Sequence, residues 1–162
     1  MICETKAILR YLASKNGLHP TEPYQAWRVD SLAEHYSDME SDIITAFKSD
    51  EVEKNLKQFI EKKLLWTLGA LEKRLQDNSS QDFFVGDTLT IADVFWTNYY
   101  HSYLNFDKNE ELMKLIEEKF PTLNAYFLKG PERFPHLKTR PPSKYWLIFQ
   151  LLFIHNFFQE GR

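Results

Sequence analysis

The sequence predicts an all-α domain, and three observations carry that expectation. Glycine is scarce, with 5 in 162 residues, and no run alternates cleanly between apolar and polar positions. Apolar residues recur instead at spacings of three and four. The prolines fall between the periodic stretches, where helices begin or end.

A first helix is expected from about Glu4 to Lys15, with Ala7, Ile8, Tyr11 and Leu12 on one face. Asn16-Gly17 ends it, since both residues tolerate a left-handed C-cap. His19-Pro20-Thr21-Glu22-Pro23 is a connector. A long helix from about Tyr24 to Ser49 carries Leu32, Tyr36, Met39, Ile43 and Phe47 as a stripe. A second runs from about Asp50 to Gln76, with Leu56, Ile60, Leu64, Leu68, Leu71 and Leu75 on one face and Phe59 beside them. Two long helices and a short acidic link read as an antiparallel pair. A polar loop from Asp77 to Asp82 follows. Further helices are expected over Ile91 to about Leu104, Glu110 to Lys119 and Thr122 to Leu128. Lys129 to Ser143 holds four of the seven prolines and reads as an extended wrap.

Composition narrows the function. Hydrophobic residues are 43% and charged residues 27%, the balance of a globular domain, and 15% aromatics favour bulky packing or an apolar pocket. The net charge is −3 with no basic stripe, so no nucleic-acid partner is expected. Cys3 is the only cysteine, which excludes an intrachain disulfide or cysteine zinc site and points to a reducing, cytoplasmic setting. His19, His35, His101, His136 and His155 lack ligand spacing, so no metal is expected. The opening MICETKAILRYLAS has no signal-peptide pattern. The most apolar stretch, Tyr145 to Phe158, is interrupted by Gln150, His155 and Asn156. A membrane span needs roughly 17–25 apolar residues, so none is expected.

The sharpest local signal is Thr90-Ile91-Ala92-Asp93, a capping box with Asp in the usual Glu/Gln place. The Thr90 hydroxyl is expected to accept from the Asp93 amide, and the Asp93 carboxylate to reach back to the Thr90 amide. Leu89 and Val94 occupy the staple positions. The box is read as structural, because no second acid is evident nearby.

The ten residues Phe84 to Asp93 resemble the "F-x-G-D-x-L-T-x-A-D" segment of cytosolic glutathione transferases, where the box supports folding. Other pieces follow in that family's order. Ala7 to Ala13 resembles the "A-I-x-R-Y-L-A" helix that ends the thioredoxin-like domain. Trp27-Arg28-Val29-Asp30 resembles the start of the first long helix of the C-terminal domain, and Phe120-Pro121-Thr122-Leu123 resembles its "F-P-x-L". Lys138 to Tyr145 is similar to the closing segment of the mu, pi, alpha and sigma group. The resemblance implies three parts: 1–18 as the last helix of a truncated thioredoxin-like domain, 19–145 as the C-terminal helical domain, and 146–162 as an atypical apolar tail. The tail reads as an extra helix or a lid over a pocket.

The same resemblance implies site residues. Glu4-Thr5 stands where the family has a Gln/Glu-Ser pair holding the γ-glutamyl end of glutathione. A carboxylate suits the ligand's ammonium, and a hydroxyl with helix N-terminal amides suits its carboxylate. By spacing alone the pair is an ordinary helix start. Asp38, eight residues after Asp30, matches the acid that reaches glutathione across the dimer interface. By spacing alone Asp30, Glu34 and Asp38 form an acidic face that invites a cationic partner. Tyr99, Tyr100 and Tyr103 line an apolar pocket or pack the core. No tyrosine matches by position the hydroxyl that activates the thiol, so no catalytic residue is assigned, and Arg140 has no catalytic role.

Two functions are therefore expected to compete. The first is a glutathione transferase-like protein that conjugates glutathione, a co-substrate rather than a cofactor, to apolar electrophiles. It would be a homodimer, inactive as this chain alone for want of the thiol-activating domain. The alternative is a non-catalytic helical docking module of the same fold.

Overall fold

In a computed structural model the protein is all-helical, with no strand among the described residues. These are 4–105 and 110–138, excepting the side chains of His136 and Lys138. Cys3, Arg140, nearly all of the 138–145 segment and the tail 146–162 lie outside them.

Helix α1 (Thr5–Lys15) ends as expected: Gly17 has φ +71°, and the Leu18 amide donates back to the Ala13 carbonyl at 2.9 Å. The Leu18 carbonyl then accepts from the Ile91 amide at 2.8 Å, tying the first connector to a later helix start. Helix α2 (Pro23–Lys48) begins with proline at its first position. The Glu22 carboxylate caps it, accepting from the Tyr24 and Gln25 amides at 3.0 and 2.7 Å. Those bonds favour the charged form and lower the Glu22 pKa. The predicted stripe Leu32, Tyr36, Met39, Ile43 and Phe47 is buried throughout.

The second long helix runs through from α3 (Val52–Phe59) to α4 (Leu65–Asp77), but a π segment, Ile60–Leu64, joins them. Its apolar spacing explains the wider turn. Leu56, Ile60, Leu64 and Leu68 are four apart, and each four-residue step overshoots a 3.6-residue turn by roughly 40°. Widening one turn returns all of them to the core, where none is more than 3% exposed. Helix α5 (Ile91–Tyr99) likewise passes into a π segment, Tyr100–Leu104. Helices α6 (Glu110–Lys119) and α7 (Pro121–Leu128) match expectation. The Glu72 carboxylate of α4 starts α7 by accepting from the Thr122 and Leu123 amides at 3.2 and 2.6 Å.

Past Lys129 the chain is more helical than an extended wrap. A four-residue turn, α8 (Gly130–Arg133), precedes a 3₁₀ turn, Pro135–Lys138. A Cβ at Gly130 would lie 2.6 Å from His101 Nε2 and 2.7 Å from Thr97 Cγ2, so only glycine permits this close passage.

Asp93 is wholly buried and accepts four hydrogen bonds. Oδ2 takes the Thr90 amide at 2.8 Å and the Thr90 hydroxyl at 2.7 Å. Oδ1 takes the Phe84 amide at 3.0 Å and the Tyr126 hydroxyl at 2.8 Å. The reciprocal contacts of the box are in place, and the Thr90 hydroxyl also donates to the Asp93 carboxylate. Asn78 pins the preceding loop, accepting from the Gly86 amide at 3.1 Å and donating to the Phe83 and Gly86 carbonyls at 2.9 and 2.6 Å.

Asp93→Ala is expected to cost at least about 3 kcal/mol in urea denaturation, since it strands buried amides, whereas Tyr126→Phe removes one bond and costs about 1 kcal/mol. Equal losses for the two variants would refute the hub role of Asp93.

Candidate functional site

The acidic face of α2 finds its cations on α1. Arg10 Nε donates to Asp30 Oδ1 at 2.6 Å, and its second nitrogen reaches Glu34 at 3.3 Å. Lys6 pairs with Glu34 as well. His19, on the connector, sits 3.1 Å from the same Asp30 oxygen. Asp30 raises the Arg10 pKa, and Lys6 holds the Glu34 carboxyl below the usual range. These pairs are a third or more exposed on most of their side chains, so their value lies in setting register more than in stability.

The pairing is antiparallel. Stepping back one turn along α1, from Arg10 to Lys6, moves forward one turn along α2, from Asp30 to Glu34. Asp38 lies one further turn on, toward the N-terminal end of α1. It is exposed and has no hydrogen bond or ion pair among the described residues. Glu4 and Thr5, at that end of α1, are also exposed. Glu4 has φ +71° and ψ 98°, an uncommon conformation for a residue with a side chain. Among the described residues no side chain caps the first-turn amides of α1. No described contact joins Glu4 or Thr5 to Asp38 within one chain.

The face of α1 that carries Ala7, Ile8, Tyr11 and Leu12 is turned away from the core. Leu9 and Ala13 pack inward, while Tyr11 and Leu12 are 53% and 48% exposed and Ile8 is half-buried. Tyr24, Trp27 and Trp66 are exposed aromatics on α2 and α4.

A cavity of about 200 Å³ lies between α2, α5 and the turn after α8. Tyr36, Val94, Phe95 and Asn98 line it from the two helices, with Phe134 and Leu137 opposite. Tyr36 stacks on Phe95 with ring centroids 4.9 Å apart. Its hydroxyl donates to Glu40 Oε1 at 3.1 Å, as does that of Tyr103. Tyr99, Tyr100 and Tyr103 are themselves buried in the core, so the cavity is lined by their neighbours on α5. Sequence singled out neither Tyr36 as a cavity residue nor Glu40 as its hydrogen-bond acceptor. Both lie on the ordinary apolar stripe or beside it, and only the packing of α5 across α2 reveals them. Burial, then Glu40, raises the Tyr36 pKa, so the phenol stays neutral.

A second cleft of about 240 Å³ runs between α2 and α4, with His35 and Trp66 on its walls. His35 Nε2 lies 3.0 Å from the Thr67 hydroxyl. Among the described residues no group of three His, Cys, Asp or Glu side chains is placed to hold a metal. No described helix is long and apolar enough to cross a membrane.

A family model described as "Glutathione S-transferase, C-terminal domain" matches residues 37–139. Curated relatives carry the same name. Glutathione S-transferase 3 of Caenorhabditis elegans is 26% identical over 80% of this chain and 69% of its own length. Glutathione S-transferase alpha-3 of Rattus norvegicus is 26% identical over 83% and 64%. A glutathione S-transferase of Plasmodium yoelii yoelii is 33% identical over 82% and 65%. The chain thus spans about two thirds of the length of these relatives.

His35 and His101 give a pH dependence. Desolvation lowers both pKa values, with Lys63 adding to the effect at His35. The unfolded chain then binds protons more readily below about pH 6.5. Stability is expected to be full above that pH and to fall as pH drops toward 5, read as melting temperature across a buffer series. His35→Gln should flatten part of that slope; an unchanged slope would assign it elsewhere.

Proposed function

The chain belongs to the glutathione S-transferase family through its C-terminal helical domain, and from that premise we propose that it is a glutathione-binding, transferase-like protein of the cytoplasm. Glu4 and Thr5 hold the γ-glutamyl end of the tripeptide at the N-terminus of α1. The carboxylate of Glu4 meets the ammonium, and the Thr5 hydroxyl with the uncapped amides meets the carboxylate. Asp38 supplies a second acid from the other copy of a homodimer. The cavity between α2 and α5 receives the apolar part of an electrophile.

The observation that carries this reading is the division of labour along α2. Asp30 and Glu34 are engaged by α1, while Asp38, the next acid on that face, is exposed and has no hydrogen bond or ion pair among the described residues. An acid in that state is open to a cation from outside the chain. Homodimer formation is supported by Trp66 and Trp27, exposed on the faces of α4 and α2.

We assign conjugation to the family's whole architecture rather than to this chain alone. None of its eight tyrosines matches by position the hydroxyl that stabilises the glutathione thiolate. Exposed Tyr11 and Leu12 favour a second reading, in which the domain serves only to dock another protein.

Calorimetry separates the two. Glutathione is expected to bind saturably at millimolar affinity or better, and Asp38→Asn to weaken it about fivefold to tenfold. No binding heat at millimolar ligand would favour the docking module. Light scattering should report a dimer, and the 162-residue chain should turn over an aryl halide electrophile slowly or not at all; brisk turnover would overturn the assignment of inactivity.

A further inference from the structure

The cleft between α2 and α4 holds a cation that no described acid answers. Arg74 lines it, and its guanidinium donates to the Arg28 carbonyl at 3.5 Å and to the Ser31 hydroxyl at 3.3 Å. Both acceptors are neutral and both bonds are long. Ser31 gives its own proton to the same Arg28 carbonyl, at 2.8 Å. A guanidinium carries five donors, of which these bonds use two. Among the described residues Arg74 has no ion pair, whereas Lys6, Arg10 and Lys63 all pair with acids of α2. Burial, and then the nearby Arg28, lower the Arg74 pKa, and no described carboxylate acts the other way.

The rest of the lining suits an aromatic ring. Leu32 and Leu71 are buried and apolar, and Trp66 is 65% exposed. Trp66 meets His35 in a T-shaped contact with ring centroids 6.0 Å apart. The other polar side chains of the lining already hold partners within the protein: His35 Nε2 lies 3.0 Å from the Thr67 hydroxyl, which also reaches Met39 Sδ at 3.3 Å. Burial, and then Lys63, lower the His35 pKa and outweigh the opposite effect of Asp38, so the imidazole is neutral at pH 7. No carboxylate lines the cleft. Asp38 stands about two turns along α2 from Ser31, roughly 10 Å, on the side away from the guanidinium.

We propose that this cleft binds a small aromatic anion, whose carboxylate takes the Arg74 guanidinium and whose ring lies among Leu32, Leu71 and Trp66. A volume of about 240 Å³ is below the range of about 300–1,000 Å³ usual for drug-sized pockets, so the ring system is mono- or bicyclic. A planar carboxylate matches the guanidinium fork, and a half-buried cation gains more from it than an exposed one. The site shares no lining residue with the cavity between α2 and α5, so it does not depend on the glutathione reading. A second copy of the chain is the competing occupant, because Trp66 also marks the homodimer face. The lining favours the small molecule, since the ring contacts and the charge contact lie together within one cleft of that size.

The test uses the full 162-residue chain labelled with fluorotryptophan, in which the fluorine signal lost in Trp66→Phe identifies Trp66. The probes are naphthoate and its neutral isostere naphthamide. The Trp66 signal is expected to shift with both, at about tenfold lower concentration for naphthoate, and Arg74→Gln to bring the two midpoints together. Ala70→Phe narrows the cleft and should weaken both probes, with circular dichroism confirming the fold of each variant. An Arg74→Gln chain that still prefers naphthoate overturns the role of the guanidinium. A Trp66 signal that neither probe moves, or that Ala70→Phe leaves as responsive as before, overturns the site, whatever glutathione does in calorimetry. A naphthoate response that fades as the chain concentration rises gives the cleft to a second copy and likewise sinks the inference.

Discussion

The four hydrogen bonds that converge on Asp93 hold together the parts of this fold that sequence neighbours alone could not. One carboxylate, wholly out of water, joins the start of α5 through Thr90, the preceding loop through Phe84 and helix α7 through Tyr126. A buried carboxylate without partners is prohibitively costly, so the site forms as a unit or not at all. That requirement places α5 at a fixed orientation. From there Trp96 donates to the Leu32 carbonyl at 3.2 Å, and Phe95 stacks on Tyr36. The cavity between α2 and α5 is thus a consequence of a folding contact on the opposite side of α5. Its shape depends on Asp93 although Asp93 does not line it.

The same helix α2 serves as ruler for α1. A single helix packed by Leu9 and Ala13 could slide or rotate on its neighbour, since small apolar contacts specify position poorly. The pairs Arg10–Asp30 and Lys6–Glu34 remove that freedom through a repeat of one turn on each helix. Each pair is worth little as stability because it is wet, yet together they define register. The Leu18 to Ile91 backbone bond fixes the other end of α1. Register matters because it decides which acid of α2 is engaged and which is left over.

Much of this was legible in the sequence. The stripes Leu32 to Phe47 and Leu56 to Leu75 are buried as their spacing requires, and Asn16-Gly17 and Pro121 punctuate helices where expected. The box at Thr90 and Asp93 was visible because its partners are three residues apart. Its remaining acceptor work was not, because Tyr126 lies 33 residues away and Phe84 donates through a backbone amide that any residue would supply. The π segments escaped for a related reason: a four-residue spacing fits a drifting α-helix as well as a widened turn until the core is known. The turn at Gly130 replaced an extended wrap because prolines mark boundaries without saying what lies between them, and the approach of His101 and Thr97 is a tertiary fact. Glu40 was invisible because an acid beside an apolar stripe on a long helix is ordinarily a solvated one. For Glu4 and Thr5 spacing alone gave an ordinary helix start and for Asp38 an acidic face, so only the family resemblance pointed to a ligand, and that role stands as a proposal.

Four acids in this domain differ chiefly in how much of their acceptor capacity is used, and that difference sorts structural carboxylates from available ones. Asp93 accepts four bonds from two backbone amides and two hydroxyls. Glu72 accepts from two amides at the start of α7 and from Gln76 at 2.7 Å. Both are buried, and a saturated buried acid has nothing left to offer a ligand. Glu40 spends one oxygen on two phenols and leaves the other without a described bond. Asp38 has no described bond at all and stands exposed on the face whose preceding acids are already paired. Folding has used the first two completely and the last two partly or not. The unspent acceptors lie along α2, one beside the aromatic cavity and one toward the N-terminus of α1.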